Sequence, residues 1–98
     1  MSLRHIVLFR FADHATDEQI DALAAGLDAL PGKIGQIRSY EHGRDAGLRQ
    51  GSWDYGLVAV FDTAEDFAAY LDHPDHRGLV RELLDPISAE RASVQFAL

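Results

Sequence analysis

The segment Leu3-Arg4-His5-Ile6-Val7-Leu8-Phe9-Arg10-Phe11 decides how this chain folds. It is rich in β-branched and aromatic side chains and too short for a core helix, so it reads as a strand. Side chains alternate between the faces of a strand. His5, Val7, Phe9 and Phe11 therefore share one face; Ile6 and Leu8, framed by Arg4 and Arg10, share the other. Both faces are apolar, and one carries an imidazole. A sheet built on this strand needs cover on both sides.

Working outward, Thr16-Asp17-Glu18-Gln19 has the form of a capping box, and Ile20, Leu23, Ala24 and Leu27 follow with helical spacing. Pro31-Gly32 is predicted to stop that helix. A second strand is predicted over Ile34 to Arg44, with Tyr40 in its middle. Asp45 to Ser52, with two glycines, reads as an exposed hairpin loop. Trp53 to Phe61 reads as a third strand, again two-sided: Tyr55, Leu57, Ala59 and Phe61 on one face, Val58 and Val60 on the other.

Thr63 opens a second helix, with Phe67, Tyr70 and Leu71 on one face. Pro74 disfavours helical geometry at His73 and suits the first position of a new helix. His76, Leu79, Val80 and Leu83 form the stripe of that third helix, and Asp85-Pro86 ends it. Ala89 to Leu98 reads as the last strand, with Val94, Phe96 and Leu98 on one side. The order βαββαβ, with one extra short helix, predicts an α+β fold: a ferredoxin-like plait whose four-stranded antiparallel sheet carries its helices on one face. Residues 1–98 read as a single domain of ordinary small size.

In such a plait the helix-free face is normally polar. Here two adjacent strands are apolar on that face as well. A second copy packed sheet to sheet supplies the missing cover. Hiding ~800 Å² of apolar surface yields on the order of 20 kcal/mol before association costs. A homodimer through the sheet faces is the expected assembly.

Composition narrows the partners. Nine basic and 16 acidic residues give a formal charge of -7, which argues against nucleic acid and against an anionic membrane surface. With no cysteine, disulfides, thiolate chemistry and a zinc ribbon are excluded. No secretory signal and no spanning run are apparent, so a cytoplasmic protein is expected.

Three pieces place polar groups on inward, apolar faces: His5 on the first strand, Tyr70 on the second helix and His76 on the third. Buried polar groups are costly unless paired. Their convergence predicts either a satisfied core network or a ligand site. In the network, the two His76 nitrogens bond to Tyr70 and a backbone group. In the site, His76 is a general base and Tyr70 steadies an oxyanion, while His5 assists. His73, just before Pro74, reads as a turn residue. His73 and His76 lack a clear third ligand, so no metal is expected. Arg44 and Arg49 at the hairpin read as solvated charges, and Asp17-Glu18 and Glu65-Asp66 as helix-start charges.

These residues resemble a family. His5-Ile6-Val7-Leu8-Phe9-Arg10-Phe11, Leu30-Pro31-Gly32-Lys33-Ile34, Gly43-Arg44-Asp45 and Phe61-Asp62 all contribute, and Tyr70-Leu71-Asp72-His73-Pro74-Asp75-His76 is the most specific element. Over essentially its whole length the chain resembles a stress-responsive A/B barrel domain of the dimeric α+β barrel superfamily. The resemblance implies a homodimer in which two sheets form a barrel. One plant branch is a polyketide cyclase that closes an aldol ring without cofactor or metal. Its catalytic positions match Tyr70 and His76, and its first-strand histidine matches His5. The first helix differs, with Leu23, Ala24 and Leu27 where the cyclase has bulkier aromatic groups. Oxygenating relatives use Trp, His and Asn near the position of Trp53 and Tyr55, but this chain has no Asn.

Three functions follow as expectations. The first is a homodimer binding a small hydrophobic or aromatic ligand in a pocket between helices and sheet. The second is a cofactor-independent cyclase or isomerase using His76, Tyr70 and His5. The third is a purely structural stress protein.

Overall fold

A computed structural model of the chain describes residues 2–98. Strands β1 (Leu3–Phe11), β2 (Ser39–Arg44), β3 (Tyr55–Phe61) and β4 (Ser88–Ala97) form one antiparallel sheet in the order β2-β3-β1-β4. Helices α1 (Asp17–Lys33), α2 (Ala64–Asp72) and α3 (Pro74–Leu79) cover one face. A π-helical turn, Val80–Leu84, continues directly from α3. This is the ferredoxin-like plait the sequence predicts.

Local chemistry sets most boundaries. The Thr16 hydroxyl accepts from the Gln19 amide at 3.2 Å, and the Gln19 side chain accepts from the Thr16 amide at 3.0 Å. That capping box starts α1. Thr63 caps α2 by accepting from Asp66 N–H at 3.0 Å. His73 does double service: it ends α2, and its Nδ1 caps α3 by accepting from Asp75 N–H at 3.1 Å. Gly47 and Gly51 adopt positive φ and turn the hairpin loop.

The boundaries differ from the prediction in four places. α1 runs through Pro31-Gly32 to Lys33. Proline removes one hydrogen bond. Only the last turn is affected, however, and it is closed by Ile34 N–H to the Leu30 carbonyl at 2.9 Å and anchored by buried Leu30 and Ile34. β2 consequently starts at Ser39, because residues 34–38 pass through a core-anchored turn in which Ile37 N–H reaches the Ile34 carbonyl. β3 starts at Tyr55 rather than Trp53; Trp53 lies outside the ladder, stacked under the Arg10 guanidinium at 4.5 Å. β4 is shifted by one residue, to Ser88–Ala97.

The core lies between helices and sheet, with Leu23, Leu30, Ile34, Phe61 and Ile87 fully buried. On the open face, the register aligns Val58, Ile6 and Val94 in one row and Val60, Arg4 and Phe96 in the next. Leu8, Val58, Val94 and Phe96 are exposed there. The two-sided apolar pattern of β1 and β3 is therefore a real surface feature.

Candidate functional site

Sheet register brings the polar groups together. Tyr40, Ala59, His5 and Gln95 form one row across β2, β3, β1 and β4 on the helix-covered face. α2 lowers Tyr70 onto this row, and α3 adds His76. The His5 ring lies 6.1 Å from that of Tyr70, and the His76 ring only 4.3 Å from it. Phe61 and Phe67 support the cluster, with ring centroids 5.0 and 6.4 Å from Tyr70. The three residues expected from the sequence thus do meet.

Their hydrogen bonds differ from the expected network. The Tyr70 hydroxyl bonds the Tyr40 hydroxyl at 2.7 Å and does not bond His76. One bond between two phenols uses one O–H and leaves the other free to donate. His76 Nδ1–H donates to the Leu71 carbonyl at 3.2 Å. That fixes the tautomer, and the Nε2 lone pair has no partner among the described residues. Gln95 Nε2 donates to His5 Nδ1 at 2.9 Å, so neutral His5 carries its proton on Nε2. The bond ties β1 to β4.

The electrostatics keep the cluster neutral at pH 7. Burial, reinforced by His76, pushes His5 down to about 4. Burial also lowers His76, opposed by its bond to the Leu71 carbonyl. Burial raises both phenols, and for Tyr70 the bond from Tyr40 works the other way. The result is two neutral imidazoles and a protonated phenol pair.

His5 has a consequence for stability. Its unfolded form titrates near 6.5 and its folded form near 4, so the unfolded chain takes up the proton first. The contribution is fully present above pH 6.5 and is lost as pH falls toward 4. We expect a loss on the order of 2 kcal/mol across that window, read by urea unfolding at pH 7 and pH 4.5. His5→Gln should flatten this acid limb. An unchanged limb in that variant would assign the titration to another group.

Beside the cluster lies a cavity of about 330 Å³. His5, Tyr40, Tyr70 and His76 line one end, and Leu23, Leu27, Leu57 and Leu79 supply apolar wall. The π turn contributes Val80 and Leu84 to the lining, with Asp85 N–H reaching back to the Val80 carbonyl at 2.8 Å. The extra residue in such a turn widens a helix, and π turns recur at functional sites. Among the described residues, no group of three or more His, Asp or Glu side chains is placed to hold a metal ion.

Sequence reasoning missed Tyr40 and Gln95 as members of the cluster. The alternation Tyr40, His42, Arg44 along one strand face was the available signal for Tyr40. His42 is engaged elsewhere: its Nε2 bonds Asp28 of α1 and its Nδ1 the Tyr55 hydroxyl, each at 2.7 Å. Arg44 pairs with Asp17 and Asp21 on α1, both at 3.1 Å. Both residues tie α1 to the sheet.

Fold and cavity together define a class: small α+β plaits with a helix-side pocket edged by histidine and tyrosine. The sequence pattern of the Stress responsive A/B Barrel Domain family matches residues 3–98, and the chain belongs to that family. A solved structure from Thermobifida fusca, described as a dimeric ferredoxin-like protein of unknown function, is 42% identical with a TM-score of 0.92, over 100% of this chain and 92% of that one. An uncharacterized protein of Streptomyces coelicolor is 30% identical over 77 residues, 76% of this chain and 79% of that protein. A hydroxynitrile lyase from Passiflora edulis superposes with a TM-score of 0.88 over 99% of this chain and 93% of its own, at 20% identity, a likeness of fold. No helix among the described residues is long and apolar enough to cross a membrane.

Proposed function

We propose that this chain forms a homodimer through the open faces of its sheets and binds a small hydrophobic or aromatic ligand between helices and sheet. The observation that carries the ligand reading is the cavity of about 330 Å³, apolar along its walls and polar only at one end and along its β4 edge. That is the build of a ligand pocket, at the small end of the usual range. A purely structural role gives no reason for an apolar cleft of this size beside His5, Tyr70 and His76. The dimer reading draws support from the exposed apolar rows on the sheet and from the dimeric relative.

Filling the cavity tests the ligand reading. N-phenyl-1-naphthylamine, an uncharged fluorophore, should bind the wild type with enhanced emission. Val80→Trp, which places an indole at the cavity wall, should weaken that binding by about tenfold or more while leaving the unfolding midpoint close to wild type. Equal binding by both proteins, or none by the wild type, would defeat the reading.

A second reading rests on one specific observation: His76 is held as a base. Its Nδ1–H is committed to a backbone carbonyl and its Nε2 is free, beside a phenol pair with one proton to donate. A carbonyl compound in the cavity would lose an α-proton to His76 Nε2. The developing enolate oxygen would accept from the free hydroxyl of the Tyr40–Tyr70 pair. His5, neutral with Nε2–H, is a further donor. This is the chemistry of a cofactor-independent cyclase or isomerase.

A further inference from the structure

The cavity has an asymmetry that its His/Tyr end does not explain. The protein carries 16 acidic and nine basic residues. Among the described residues no Asp, Glu or Lys lines the cavity, yet Arg91 does, with Ser93 beside it. Register puts both on the helix-side face of β4, with Arg91 opposite Phe9 and Ser93 opposite Val7. β4 is an edge strand, and on it Ser93 and then Arg91 lie successively further along the sheet from the His5–Gln95 row on which Tyr70 sits.

Arg91 is held but not exhausted. Its Nε donates to the Ser88 hydroxyl at 3.0 Å, and its Nη2 pairs with the Asp85 carboxylate. Those contacts fix the plane of the guanidinium. The Nη1 hydrogens have no partner among the described residues, and Nη2 has a second hydrogen. Together they form the end-on edge that a carboxylate bridges. A fixed planar fork selects a planar anion better than a mobile ammonium does.

We propose that the cavity takes a small apolar carboxylic acid, its carboxylate on Arg91 and its apolar body reaching toward Tyr70 and His76. The proposal rests on the ligand reading above and adds the class of ligand. The acid is bound as its anion, and Asp85 is the positioning residue that holds the guanidinium while partly offsetting its charge.

The test compares a matched pair, 4-butylbenzoate and 4-butylbenzamide, which share shape and differ in charge. Titration calorimetry at pH 7.5 should show the wild type binding the carboxylate about tenfold or more tightly than the amide. Arg91→Gln should abolish that preference, with its circular dichroism spectrum and urea midpoint showing that the variant is folded. Asp85→Asn removes the competing carboxylate and should increase the preference, a change opposite in sign to damage. Equal affinities in the wild type, a preference that survives Arg91→Gln, or no gain in Asp85→Asn would each overturn the proposal while leaving the pocket intact. Failure of both compounds to bind would remove the pocket reading, and this one with it.

Discussion

A Val58→Asp, Val94→Asp double variant is expected to sediment as a monomer at micromolar concentration, where the proposed assembly makes the wild type a dimer. Register places these residues on either side of Ile6 in one row of the open sheet face. Both valines are exposed in the single chain, at 36% and 53%. In the proposed face-to-face pair the row would lie within the contact, where water is excluded. Each aspartate removes apolar area and also brings a carboxylate that must be desolvated or neutralised. Either cost is several kcal/mol for a group without a partner. Two substitutions per subunit, doubled by symmetry, should weaken association by more than ~10³-fold. The cavity lies on the opposite face, so ligand binding by folded monomer should survive. Sedimentation velocity of the wild type at micromolar concentration gives the reference, and a wild-type monomer there would remove the barrel assembly.

The second large effect concerns His76. In the enzymatic reading, it alone among the described residues offers an unpartnered ring-nitrogen lone pair beside the phenol pair. His76→Ala should therefore slow α-proton exchange of a bound aryl ketone, such as 4-phenylbutan-2-one in deuterium oxide, by about 10²–10⁴-fold. Tyr70→Phe should have a smaller effect, because it removes one hydroxyl of the pair and leaves Tyr40 able to donate. His76 is already neutral at pH 7, so the wild-type rate should be flat from pH 7 to 8. It should fall on acidification below the ordinary histidine value, since burial has moved His76 downward. Proton NMR follows the exchange directly. Equal exchange in wild type and His76→Ala, with ketone binding preserved, would leave the cavity a binding site and take the base away from it.

The fold was legible because its determinants are local. Alternation in Leu3–Phe11 and Tyr55–Phe61 set the strands and their two-sidedness, Thr16 with Gln19 started α1, and Pro74 divided α2 from α3. Where local rules misled, tertiary packing outweighed them. Pro31 is a helix breaker by propensity, yet burial of Leu30 and Ile34 keeps its turn helical. Burial of Ile34 and Ile37 likewise turned a predicted stretch of strand into a core-anchored loop.

The site was legible only in part. His5, Tyr70 and His76 stood out because each breaks an apolar pattern on its own element. Their partners did not stand out, because a hydrogen-bond partner is chosen by register and docking. Tyr40 meets Tyr70 through the β2–β3 pairing, Gln95 meets His5 through the β1–β4 pairing, and His76 turns to the Leu71 carbonyl at the junction of α2 and α3. Arg91 in sequence is one of two charges on an exposed edge strand.

The sequence by itself determined the elements, their order and the apolar character of both sheet faces, since caps, prolines and side-chain alternation act within a few residues. Only the tertiary structure decided that a cleft lies beside the histidines, that a phenol pair holds a spare proton, and that the Arg91 guanidinium borders the space. Those properties depend on distances between residues up to 90 apart in the chain, which no local pattern encodes.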